Sequence, residues 1–399
     1  MILNTKTKDD SHKFDCLKFE KEFSNLLYLK DLDQRIAEQP SLIKSFEDGL
    51  EVILSDSYAE GEFAHDPRFA EPNSDGRWVG RQPKKWSANP VRTNSPNGQL
   101  FLHRILYRIN RLKLFWYDDL DNYANEDSIY LFKVRNQIES AWQAWESEQL
   151  DYESLASVNV EKGLRDRVAR DLEPDDSPED LFFRDEMTET GYRRLLAIAS
   201  LDGLVEASQL SRVLGGAANE IQSMVTRIFL EEYGGGQLRR KHSTFFSSML
   251  NEFGMNSKPE AYFDLVPWEV LANINHSFFL CDRNRHFLRY MGGLLYTEVS
   301  VPASFINFRQ AGERLGLSGN AIDYWDLHIK EDKKHGQWML DDVALPLAER
   351  YRENAWEILW GYDQQRFFSA RAGRAVAKSV KEAESDCTME SFINQLSVK

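Results

Sequence analysis

The segment DYWDLHIKEDKKHG, residues 323–336, governs how the rest of the chain is read, because it spaces His328, Asp332 and His335 at intervals of four and three. At about 100° per helical residue, Asp332 lies ~40° to one side of His328 and His335 ~20° to the other. One helix face therefore carries two imidazoles and a carboxylate. Nitrogen and hard-oxygen donors gathered this way suit a divalent ion of the iron, manganese or zinc kind. The same H-x-x-x-D-x-x-H spacing also arises on an ordinary solvated helix, since His and Asp both tolerate water. The segment alone leaves both readings open.

Nearer the amino terminus, FLEEYGGGQLRRKHSTFFSSML at 229–250 holds Glu232 ten residues before His242 in an otherwise apolar helical pattern. On one straight helix the two side chains would stand ~80° apart. Gly234, Gly235 and Gly236 intervene, and three glycines permit either a bend that brings the pair together or an ordinary helix end. Glu298 in YMGGLLYTEVSVP and Glu206 in LDGLVEASQL are single acids in apolar helical stretches. A buried carboxylate needs a partner or a cation; taken singly, each is also explained by partial exposure or a salt bridge. Four expected helices thus offer carboxylates and histidines to one core, the composition of a carboxylate-bridged di-iron or di-manganese site. The E-x-x-H pairs of ferritin-like sites are not the source, because Glu62 and His65, which have that spacing, fall in a loop-like stretch.

Helical spacing recurs along the chain and strand-like alternation is scarce, so the fold expected is all-α. Helices are expected at 187–214, at 219–253 with a disturbance at the glycines, at 267–280, 283–299, 303–314 after a break at Pro302, 321–341 and 345–380. Before these, 16–55 and 99–150 carry broad apolar stripes. Residues 56–98 form a long expected loop, dense in Gly, Pro, Asn and Asp. The acidic connector RDLEPDDSPEDLFFRDE suggests a boundary near 173–179. Two parts follow: a helical amino-terminal region, 1–178, with an accessory or dimerisation role, and a metal-bearing helical domain, 179–399. The aromatics Phe115, Trp116, Tyr117, Tyr130, Trp142 and Trp145 are read as core or interface. His103, His276 and His286 are read as non-ligating, and Arg283, Arg285 and Arg289 as a solvated helix face.

Composition narrows the partners. The 399 residues carry 64 acidic against 49 basic side chains, a formal charge of −15, which argues against nucleic-acid binding. No stretch approaches the ~20 apolar residues of a membrane helix, and the amino terminus lacks the apolar core of a signal peptide. Three separated cysteines, Cys16, Cys281 and Cys387, offer no disulfide framework or thiolate metal site. A cytoplasmic location is expected.

Taken in order, several motifs resemble one family, the haem-oxygenase-like non-haem di-iron oxidases and oxygenases, also termed iron-containing redox enzymes. They are the E-Y-G-x-G run from Glu232 to Gly236, the following His242, the pair Glu298–Val299, the R-L-G-L turn from Arg314 to Leu317, and the H-x-x-x-D-x-x-H-G helix. The resemblance covers about 195–377. It implies a seven-helix bundle like haem oxygenase without haem, holding two Fe(II)/Fe(III) ions that activate O2 through a peroxo-bridged diferric species. It makes Glu232, His242, His328, Asp332 and His335 ligands, adds Glu298 as a further carboxylate able to bridge, and adds Glu206 from the preceding helix. Several members carry another Glu three residues before the histidine matching His242; here Arg239 stands there, which bears on amine N-oxygenation and on the second iron. The implied reactions are oxidative C–C cleavage, desaturation or N-oxygenation of a small amino-acid-derived or acyl substrate in specialised-metabolite biosynthesis. The implied partners are that substrate, a second copy of the chain and an electron donor. The competing reading is a non-catalytic helical scaffold with a vestigial metal site.

Overall fold

The computed structural model describes residues 15–58, 96–115, 118–216 and 219–385, which contain helices and turns and no strand. Most of the expected loop lies outside the described residues, as do Glu62, His65, Trp116, Tyr117 and Cys387. By spatial contact the chain divides into two compact units, Met1–Gln149 and Leu150–Lys399. The expected connector at 173–179 lies within the second.

The first unit contains α1 (Cys16–Leu27), α2 (Leu32–Glu38), α3 (Lys44–Ser57), α4 (Pro96–Asn110) and α5 (Ile129–Ser147). Helix α4 packs against α1, α3 and α5. Its Phe101, Leu102 and Ile105 meet the buried stripes of α1 and α3, where Phe23, Phe46 and Leu50 are almost fully enclosed. Burying side chains of this size contributes roughly 1.5–3 kcal/mol each. Tyr130, Trp142 and Trp145 join this core, whereas Phe115 is exposed. The free amides at the start of α5 are satisfied from α2: Asp33 accepts from the backbone N–H of Ile129 (2.7 Å) and Tyr130 (3.0 Å) and from the Ser128 hydroxyl (2.8 Å). Unsatisfied first-turn donors are thereby met by a carboxylate that also suits the helix dipole.

The second unit contains α6 (Val160–Leu172), α7 (Pro178–Leu181), α8 (Glu189–Gly203), α9 (Asn219–Glu232), α10 (His242–Glu252), α11 (Trp268–Cys281), α12 (Phe287–Arg314), α13 (Asp323–Trp338), α14 (Leu345–Arg350) and α15 (Trp356–Ser385). Helix α12 is central, flanked by α13 on one side and α15 on another, with α8 and α11 against α15. Two glycines set the closeness of α12 and α15: a Cβ on Gly361 would overlap the carbonyl oxygen of Arg289, and one on Gly292 would overlap that of Ile358. Backbone thus meets backbone where any larger residue would hold the helices apart.

Three boundaries differ from those expected. Helix α12 runs unbroken through the buried Pro302, where a break was expected. Proline removes the N–H that would bond the carbonyl of Glu298, a cost of about 3 kcal/mol in a helix interior, and here the packing of α12 on both neighbours outweighs it. Helix α8 stops at Gly203, well before residue 214. The expected single helix over 345–380 is two, α14 and α15, with turn residues from Tyr351 to Ala355 between them.

Candidate metal centre

Helix α9 ends on Glu232 because the next residues cannot continue it. Gly234, Gly235 and Gly236 have φ of +60°, +63° and +80°, a left-handed region that costs other residues roughly 1–2 kcal/mol. At Gly234 there is also no room, since a Cβ would collide with the backbone of Arg240. The chain turns back through Leu238–Arg240 and restarts as α10 at His242. The pair that would diverge on one helix therefore meets across a turn, with His242 Nδ1 2.8 Å from Glu232 Oε2. Arg239, in this connection, is exposed.

His328 approaches the same point from α13. Its Nε2 lies 3.1 Å from His242 Nδ1 and 2.8 Å from Glu206 Oε1. Its other nitrogen, Nδ1, donates to the carbonyl of Tyr324 one turn earlier at 2.9 Å, which leaves the Nε2 lone pair facing the cluster. Glu206 does not stand on a helix; it occupies the turn after α8, beside Ala207, whose φ is +59°. A strained non-glycine residue next to a converging carboxylate is a known mark of functional sites. The Tyr324 hydroxyl donates to Glu206 Oε1 at 2.9 Å.

The second group adjoins the first through Glu232. While Oε2 of that residue meets His242, its Oε1 lies 3.5 Å from His335 Nδ1. The same nitrogen lies 3.2 Å from Glu298 Oε2 and 3.5 Å from Asp332 Oδ1. Donor atoms of Glu206, Glu232, His242 and His328 all fall within 4.8 Å of one another, and so do those of Glu232, Asp332 and His335. All seven residues singled out in the sequence are thus gathered. Glu232 is the one common to both groups. All but Glu206 are buried, and His335 has no exposed surface.

Charge makes this assembly cation-seeking. Burial alone would lower the pKa of His335, yet Asp332, Glu298 and Glu232 around it push it up to about 11. His328, likewise buried, is raised well above its ordinary value, chiefly by Glu206. Burial pushes Glu298 up to about 7 against the pull of His335. Burial also raises Asp332, while His242 holds Glu232 below the usual carboxylate range despite burial. Clustered acids in a dry core hold protons on the histidines in place of other cations. Two acceptors, Glu206 Oε2 and Asp332 Oδ1, are buried without a hydrogen-bond donor. Buried unpaired acceptors, two carboxylate–imidazole groups and no thiolate together fit divalent metal ions of the iron type.

Other expectations resolve around this core. His276 is fully buried and stacked on Phe368, with centroids 4.5 Å apart, and His286 stacks on Phe279; neither belongs to the clusters. Cys281 donates to the Phe278 carbonyl. The expected solvated arginine face is overturned at Arg289, which is 3% exposed, lies over Trp360 and donates to Gln364; Arg285 pairs with Glu357. Sequence reasoning missed Glu231, whose Oε2 accepts from His335 Nε2 at 3.0 Å, and Tyr324. The acidic doublet at 231–232 was the available signal, but helical periodicity points only one of two adjacent residues inward.

Comparison with known proteins covers the same segment. Residues 193–365, which include all seven gathered residues, match the family described as "Iron-containing redox enzyme". A nitrosourea synthase from Streptomyces achromogenes subsp. streptozoticus is 30% identical over 183 residues, a span covering 45% of this chain and 38% of that protein. The chain thus matches about two-fifths of the length of that relative. The matched segment is helical among its described residues and holds the buried glutamate–histidine cluster, so over residues 193–365 the chain is similar to the haem-oxygenase-like iron-containing redox enzymes.

Proposed function

We propose that this protein is a non-haem di-iron oxidase or oxygenase that acts with O2 on a small amino-acid-derived or acyl substrate in specialised-metabolite biosynthesis. One observation carries the reading: the two oxygens of Glu232 face two different donor groups, Oε2 toward His242 and Oε1 toward His335. A shared carboxylate between two nitrogen–oxygen sets is what a pair of neighbouring metal ions requires. Glu206, His242 and His328 would complete one position, and Glu298, Asp332 and His335 the other. Two bound irons would supply the electrons that O2 needs, chemistry no side chain here provides. The chain's own contribution is a dry, anionic cradle of fixed spacing, with Tyr324 holding Glu206 in place.

Among the reactions implied by the resemblance, nitrogen oxygenation is the first to test, because the similar Streptomyces protein is named a nitrosourea synthase. The exposed Arg239 adds no carboxylate to either set. Oxidative C–C cleavage and desaturation are the other outcomes. A homodimer supplied by an electron donor, with the amino-terminal helices as accessory region, completes the proposal. The deciding experiment is anaerobic reconstitution with Fe(II), metal counting, and measurement of O2 consumption. Two irons per chain are expected in the wild type, with fewer in His328→Ala and Asp332→Ala. A wild type that takes up no metal refutes the reading.

A further inference from the structure

The two histidines of α13 are held from behind by different chemistry. His328 Nδ1 donates to a neutral acceptor, the Tyr324 backbone carbonyl. His335 Nε2 donates to an anion, the carboxylate of Glu231, at 3.0 Å. Glu232, Glu298 and Asp332 all lie on the Nδ1 side of this enclosed ring, and Glu231 is the carboxylate placed to take the proton on the Nε2 side. With the proton on Nε2, the Nδ1 lone pair is directed at Glu232, Glu298 and Asp332. With the proton on Nδ1, the ring would offer those carboxylates a donor in place of a ligand atom.

Glu231 is itself fixed. Lys334 Nζ lies 3.3 Å from its Oε2, and Arg227 Nε 4.0 Å from its Oε1. Arg227 is in turn stacked over Trp338 at 3.8 Å, and Trp338 lies against the His335 ring. Glu231, Glu331 and His335 could also be viewed as an outer cation site. The Lys334 ammonium, bonded to both glutamates, already neutralises that position.

Resting on the di-iron reading, we infer that Glu231 is a positioning residue that keeps His335 in the tautomer and orientation able to ligate the second metal, and that it acts on that metal alone. The selectivity follows from the donor sets. The first position draws on two imidazoles, His242 and His328, neither of which Glu231 touches. The second has His335 as its one imidazole among three carboxylates, so a change in that ring is felt there in full. A carboxylate behind a ligating imidazole also makes it the more basic donor, and loss of such a partner typically lowers metal affinity ~10–100-fold.

The test is anaerobic titration of the metal-free full-length chain with Fe(II) in competition with a chromogenic chelator, comparing wild type with Glu231→Gln, Glu231→Asp and Lys334→Met. Glu231→Gln keeps the size and removes the charge. The expected result is two-step binding in the wild type, a first step unchanged in Glu231→Gln, and a second step weakened by about 10–100-fold. Glu231→Asp should recover part of the loss. Lys334→Met, which removes the half-exposed ion pairs to Glu231 and Glu331 and leaves the Glu231 carboxylate on His335, should stay within about fivefold of wild type. Circular dichroism melting of the metal-free variants should match wild type. Two wild-type-like steps in Glu231→Gln, or equal weakening of both, overturns the inference while leaving the di-iron reading intact. No metal uptake by the wild type overturns both.

Discussion

Substituting Gly361 by alanine adds one methyl group to α15 at the point where it touches α12. An ordinary Gly→Ala change inside a helix stabilises by up to about 1 kcal/mol, because alanine loses less backbone freedom. Here the new Cβ would overlap the carbonyl oxygen of Arg289, and a backbone atom cannot rotate aside as a side chain can. Overpacking costs about 1–3 kcal/mol, and a rigid neighbour places this site at the upper end. The net expectation is a loss of about 2 kcal/mol. Gly373 on the same helix is the internal control: nothing lies within 4 Å of a Cβ there, so Gly373→Ala should gain up to about 1 kcal/mol. At ~2–4 °C per kcal/mol for a unit of this size, the two variants should melt ~6–12 °C apart, on opposite sides of wild type. Thermal denaturation followed by circular dichroism measures this directly. If Gly361→Ala melts at or above the wild-type temperature, the claim that α12 and α15 meet backbone to backbone is refuted.

Three further outcomes are expected. Asp33→Ala should destabilise the first unit by about 1–2 kcal/mol through loss of its contacts to the start of α5. Burial opposes the charge on Asp33, but the amides of Ile129 and Tyr130 and the Ser128 hydroxyl outweigh it and hold the carboxyl below its ordinary value. Its stabilisation is thus complete above about pH 4 and lost as pH falls through the lowered value, so denaturant midpoints of wild type and variant should converge in acid. Glu232→Gln removes the charge common to both donor groups, and metal counting after reconstitution should find both positions weakened together. Tyr324→Phe deletes a hydrogen bond to a carboxylate, an interaction of about 1.5–3 kcal/mol. It should weaken the first metal by about tenfold or more and spare the second, as read by the same chelator competition.

Much of the centre was legible because its densest part lies on one helix. His328, Asp332 and His335 share a face of α13 at spacings that a 3.6-residue period makes readable. Glu232 and His242 were legible as a pair, though not the way they meet: angular arithmetic along one helix fails once left-handed glycines make two helices of it. Glu206 was included in the set from the resemblance but expected on a helix, because the turn after Gly203 carries no proline or asparagine to announce it. Pro302 misled in the other direction. Its local cost argues for a break, and only the neighbours on both sides of α12, invisible in a single sequence, carry the helix through. Glu231 and Arg289 were missed for a related reason. A charged residue beside other charged residues reads as surface until the partner that encloses it is known.

The glycine turn between Glu232 and His242 also bears on how this centre can change over generations. Its three residues do not share one constraint. Gly234 is barred to every alternative by both φ and space, whereas Gly235 and Gly236 have open room around them and only the backbone angle to satisfy. Asparagine and aspartate tolerate that angle. Drift can therefore enter at two positions without displacing either donor, while any change at Gly234 would force the turn that brings Glu232 and His242 together to shift. An engineer wishing to alter the separation of the two donor groups would begin with the length of this turn and leave the donor residues themselves untouched.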